Sequence, residues 1–135
     1  METSQTRALI ESYYQALTTG DRDGVAALVA DDCRWVPPAS APFGPVDGGP
    51  EVVAELTGDL IRRVFDLSEP FALEVRSILV DGDRAVVQQR LTATARDTGK
   101  PYDNQYCWVY TCREGRIVHM EEYADTVVAA EAMGW

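Results

Sequence analysis

Positive charge is scarce in this 135-residue chain: twelve Lys and Arg stand against twenty-two Asp and Glu, a net charge of -10, with a single histidine. That balance repels phosphate backbones and anionic membrane surfaces, and no run of Lys or Arg supplies a local exception. Nucleic acid is therefore excluded as a partner. The lone His119 cannot assemble a histidine-rich metal centre, and the three cysteines, Cys33, Cys107 and Cys112, are odd in number and lack the close pairs of a zinc site. No metal is expected, and the thiols read as reduced and mostly packed. Long apolar runs are missing too, since nowhere do about eighteen apolar residues follow one another. The opening METSQTRALIESYYQAL has no basic stretch leading into an apolar one. The expectation is a cytoplasmic protein with no membrane partner.

What is present is enough for one domain spanning residues 1–135, with 46% hydrophobic residues to form one core from which any pocket must be carved. Leu9, Ile10, Tyr13, Ala16 and Leu17 recur at helical spacing, with Ser4 placed to cap the helix and Gly20 to end it. Asp21 caps a short second helix containing Val25, Ala26, Leu28 and Val29, and Asp31-Asp32 reads as a turn leading into a strand from Cys33 to Val36. The proline- and glycine-rich segment Pro37 to Pro50 is a loop. Val52, Val53, Leu56, Leu60, Ile61, Val64 and Phe65 then form one stripe of a third helix over Glu51 to Phe65.

The remainder reads as strands. Phe71 to Val80, Arg84 to Ala95, a strand from Pro101 and a return strand from Arg116 to Ala124 form an antiparallel meander, and Thr126 to Ala132 a closing helix capped by Asp125. Helices first and a long curved sheet afterwards predict an α+β domain: three N-terminal helices on one sheet face, a pocket between the layers, and an outer face free to pair with a second subunit.

Alternation sorts the last hairpin into two faces. Tyr102, Asn104, Tyr106, Trp108, Tyr110 and Cys112 share one side of the first strand; Val118, Met120, Glu122 and Ala124 share one side of the second. Ile117, His119, Glu121 and Tyr123 fall on the other side, which makes His119 a surface or interface residue.

Three stretches resemble the SnoaL-like branch of the NTF2-like superfamily, which includes ketosteroid isomerases, limonene epoxide hydrolases and small polyketide cyclases. They are GDRDGVAALVADDCRW, VDGGPEVVAEL and, most specifically, EGRIVHMEEYADT. The resemblance implies a cone-like pocket, frequent homodimers and acid/base chemistry without cofactors. It also shows departures. Pro37 stands where ketosteroid isomerases carry their general base. Of the epoxide hydrolase constellation, Arg90 remains, Thr92 replaces one Asp, Glu122 falls where the second Asp lies, and Trp35 and Pro37 replace a Tyr and an Asn.

The candidate catalytic set is thus Glu122 as acid/base, Arg90 as its partner, and Asn104 and Tyr106 as donors to substrate oxygens. Burial would raise the Glu122 pKa and Arg90 would lower it, so the pair reads either as a proton shuttle or as a structural ion pair. Tyr13, Tyr14, Trp35, Thr92 and Met120 are the candidate substrate-binding residues. Trp108 and Tyr110 read as core, or as interface if they lie on the outer face. The expected function is cyclisation, isomerisation or ring opening of a hydrophobic carbonyl or epoxide compound, as in secondary metabolism. The alternatives are a non-catalytic binder of a small hydrophobic molecule and an epoxide hydrolase.

Overall fold

The computed structural model describes all residues from Met1 to Trp135. The chain runs α1 (Thr3–Thr18), α2 (Arg22–Leu28), β1 (Val29–Val36), β2 (Val46–Asp47), α3 (Gly49–Ala54), a π-helical turn (Glu55–Asp59), α4 (Leu60–Val64), β3 (Ala72–Asp81), β4 (Arg84–Thr94), β5 (Pro101–Arg113), β6 (Arg116–Ala124) and α5 (Thr126–Met133). Asp21 accepts a hydrogen bond from the Gly24 amide, and Asp125 accepts from Val127 and Val128, so both acids cap their helices as expected. Helix α1 begins earlier than the Ser4 cap implies: the Gln5 side chain accepts from the amide of Glu2, the residue ahead of the helix.

The six strands are ordered β2-β1-β6-β5-β4-β3. The meander β3 to β6 is antiparallel, as read from the sequence. Strand β1, however, runs from Val29, not Cys33, and lies parallel to β6, so the sheet is mixed. Asp31 and Asp32 are accordingly exposed strand residues and not a turn, and Asp32 pairs with Arg113 at 3.0 Å. The third helix is interrupted: its middle widens into the π turn, which leaves three short helical pieces where one stripe was expected.

Inward residues of β4 are Ala85, Val87, Gln89 and Leu91, and of β5 Tyr102, Asn104, Trp108, Tyr110 and Cys112, all buried. A bulge disturbs the β5–β6 register between Thr111 and Cys112: Thr111 lies opposite His119, whereas Cys112 lies opposite Ile117. Val118 is the extra residue, and both Ile117 and Met120 consequently reach the core with no exposure. Strict alternation places Ile117 outside and Val118 inside, and the bulge reverses both. Beyond the bulge the expected phase returns, with Met120, Glu122 and Ala124 inward and His119, Glu121 and Tyr123 outward.

Nineteen buried residues from α1, α2, β1, α3, α4 and the sheet make the main core. A second cluster of six, including Phe65, Leu91, Tyr102 and Met133, closes the other end of the sheet. Between the layers the two clusters leave a hollow.

Candidate functional site

The hollow has a volume of about 950 Å³, and 27 of its 38 lining residues are hydrophobic. A ligand that fills it must be largely apolar and of ring-system size. The helices supply Tyr13 and Tyr14 from α1 and Leu56, Leu60 and Ile61 from the π turn and α4; the sheet supplies the polar wall. Phe43 of the long loop packs on Trp35 at 5.9 Å and on Trp135 at 5.8 Å, so loop and C-terminus meet at this site.

Glu122 lies on that wall. It is only partly covered, because it faces the hollow, yet burial is the chief influence on its carboxyl and pushes its pKa from 4.5 up to about 7. One hydrogen bond, donated by the Trp35 indole Nε1 at 3.1 Å, opposes the rise. Trp35 reaches the carboxyl because it sits in register with Met120 across the parallel β1–β6 pair, one inward position from Glu122. A carboxyl near pH 7 populates both protonation states, so it can accept a proton and return it.

Arg90 is not its partner. On β4 the residues at odd positions face inward, and Arg90 lies opposite the outward Gln105. Its guanidinium binds Asp103 on the outer face through contacts of 2.8 and 2.6 Å. Both readings of a Glu122–Arg90 pair therefore fall. Thr92 follows Arg90 by two positions, lies opposite Asp103, and is outside the hollow for the same reason.

Asn104 is inward but not available. Its amide donates to the Tyr102 hydroxyl at 2.8 Å and to the Asp125 carbonyl at 3.0 Å, and its oxygen accepts from the Gln105 amide. With every hydrogen-bonding group engaged and 1% exposure, Asn104 anchors Tyr102 and does not meet a substrate. Met120 is likewise sealed in the core behind the wall, with no exposed surface. Tyr106, Tyr13, Tyr14 and Trp35 do line the hollow. The Tyr106 hydroxyl is hydrogen-bonded to that of Tyr102, and the Tyr14 hydroxyl to that of Tyr110 at 2.6 Å. Burial raises the pKa of all four phenols, which keeps them neutral hydrogen-bond donors.

Three contributors escaped the sequence reading of the site. Tyr102 and Trp108 were visible in the aromatic row of β5 but could not be told from core. Gln89 carried a clearer signal, a polar residue between Val87 and Leu91 in an inward apolar row. No three His, Cys, Asp or Glu side chains gather as a metal-ligand set. Burial pushes the thiols of Cys33 and Cys112 up to about 12 and about 11, so both stay protonated.

The sequence matches the SnoaL-like domain over residues 10–120, most of the chain. The chain belongs to the SnoaL-like domain family. The NTF2-like fold of this SnoaL-like chain has close structural counterparts. An NTF2-like protein from Burkholderia thailandensis superposes with a TM-score of 0.84 at 24% identity, over 98% of both chains. TerC, crystallised with polyporic acid, gives 0.79 at 21% identity over 97% of this chain and 99% of that one. An LEH-like epoxide hydrolase from M. tuberculosis gives 0.71 at 19% identity, covering 97% and 90%. At these identities the likeness is one of fold. No curated protein sequence matches the chain. The family match ends two residues before Glu122.

Proposed function

We propose that this SnoaL-like chain is a small cofactor-independent enzyme that moves a proton on a hydrophobic carbonyl or epoxide compound, in a cyclisation, isomerisation or ring opening of the kind secondary metabolism uses. Glu122 is the proton carrier. The observation that supports this most strongly is its position: a carboxyl facing an apolar hollow, held by one indole N–H, with its pKa pushed up to about 7. Such a group takes a proton from carbon beside a carbonyl as carboxylate and returns it as acid. Tyr106, whose hydroxyl pairs with that of Tyr102, stands one inward position along β5 from Trp108, which lies opposite Glu122. When Tyr102 donates to Tyr106, the Tyr106 O–H is free to hold the developing oxyanion.

The reading is tested with ring ketones that fit within the hollow, such as 1-tetralone, incubated with the protein in heavy water. Deuterium is expected to enter the carbon beside the carbonyl faster with the parent chain than with buffer, and Glu122→Gln to lower that rate about 100-fold or more while still binding. Equal exchange by parent and variant contradicts the assignment. Tight binding without exchange by either assigns the chain to the ligand-binding class instead.

A further inference from the structure

Two polar side-chain atoms of residues that line the hollow have no hydrogen-bond partner in the protein and almost no accessible surface: Trp108 Nε1 and Gln89 Oε1. Their residues are 7% and 5% exposed, and both line the hollow. A buried donor or acceptor left unpaired is costly, and folded chains pair nearly all of theirs. The two also differ from their neighbours. Trp35, stacked on Trp108 at 6.3 Å, spends its N–H on Glu122, and the phenols of Tyr14, Tyr110, Tyr102 and Tyr106 pair among themselves. One indole N–H and one amide oxygen are thus left unpaired beside the hollow, and a turn of either side chain toward the hollow would open its polar atom to a ligand.

Register fixes their spacing. Gln89 lies opposite Tyr106, and Trp108 is two residues further on the same face of β5, so the two are diagonal neighbours about 7–8 Å apart at the backbone. Trp108 in turn lies directly opposite Glu122 on β6. Donor, acceptor and carboxyl thus form one polar row crossing three strands of an otherwise apolar chamber.

We infer that Gln89 and Trp108 form a ligand-orienting subsite for a ring compound that carries a ketone and a hydroxyl across one six-membered ring. The Trp108 N–H donates to the ketone oxygen and Gln89 Oε1 accepts from the hydroxyl. This rests on the hollow being the small-molecule site, and deepens that reading by naming the polar pattern of its ligand. It does not require Glu122 to transfer a proton. The ketone beside Trp108 is also brought next to the carboxyl opposite it.

Three probes separate the contributions by titration of tryptophan fluorescence: 6-hydroxy-1-tetralone, 1-tetralone and tetralin, which share a bicyclic skeleton and lose one oxygen at each step. With the parent chain, each oxygen is expected to tighten binding by about three- to tenfold. Gln89→Leu should cancel the gain from the hydroxyl alone, and Trp108→Phe, which keeps the aromatic stack, the gain from the ketone. Tetralin affinity should stay the same in both variants and reports an intact hollow. If a variant misfolds, the probe series on the parent chain still decides. Failure of the hydroxyketone to bind more tightly than tetralin, including failure to bind at all, overturns the subsite, as does equal weakening of all three probes by either variant. Glu122→Gln should retain the same probe order. Loss of deuterium exchange with that order preserved leaves both assignments standing, and exchange that survives Glu122→Gln sinks the proton-carrier role alone.

Discussion

Replacing the Glu122 carboxyl by an amide should stabilise the chain at mildly alkaline pH, and the sign follows from its titration. The folded chain holds this proton up to about pH 7, whereas the ordinary value is 4.5, so between those values the native state binds more protons than the unfolded one. Stability from this group is complete below about 4.5 and is lost as pH rises through about 7, at a cost on the order of 3 kcal/mol. Urea unfolding of Glu122→Gln and parent should therefore coincide near pH 4 and separate, in the variant's favour, by about pH 8. A pH-independent difference contradicts the buried titration. Asn104 makes the opposite case: Asn104→Leu removes the amide that donates to the Tyr102 hydroxyl and the Asp125 carbonyl, which keep only Tyr106 and the Ala129 amide, and the oxygen that accepts from the Gln105 amide, and should destabilise by about 1–3 kcal/mol in the same assay. Arg90→Ala, which breaks only an exposed pair with Asp103, should leave deuterium exchange unchanged. Glu122 was legible because period-two alternation holds locally on β6. Arg90 was misplaced because a face assigned within one strand says nothing of its neighbour until the register is known, and register is a tertiary property. Asn104 was placed on the right face, but which groups exhaust its amide depends on Asp125, which is distant in sequence.

Among the elements, those whose ends carry their own chemistry were read well. Asp21 and Asp125 cap α2 and α5, and Gly20 with φ of +72° closes α1, all from local sequence. The elements that bend were not. The bulge at Val118 and the π turn at Glu55–Asp59 each insert a residue into a regular period, and nothing in a hydrophobic stripe announces the insertion. The π turn carries Leu56 and Thr57 to the hollow, and the bulge puts both Ile117 and Met120 into the core. The start of α3 has a tighter constraint. Gly49 lies so close to β1 that an added Cβ would run into the Ala30 carbonyl oxygen, a backbone atom that cannot rotate away. Gly49→Ala should cost about 1–3 kcal/mol by thermal or urea unfolding, from overpacking. An unchanged midpoint would show that α3 can move off the sheet.

For the molecule as a whole, the order of elements was enough to anticipate an α+β cone with a chamber between layers, because three helices cannot cover both faces of a long sheet. The parallel β1–β6 pair was not anticipated, since it joins residues 85 to 88 positions apart with no local signal. The outer face of β3 to β6 remains open, with Leu79 and Tyr123 exposed among Gln88, Arg90, Asp103 and Gln105. We propose that this face pairs two copies of the chain; light scattering should give twice the mass of 14.9 kDa, and Tyr123→Glu should return the monomer. A parent chain that is monomeric at all concentrations rules this out. The chamber itself stands or falls on one carboxyl. Carbon-13 NMR of glutamate-labelled protein, with the Glu122 resonance assigned by its loss in Glu122→Gln, follows that titration directly. A midpoint near 7 is expected, and a midpoint near 4.5 would mean that Glu122 is a solvated surface charge and not the proton carrier of an apolar site.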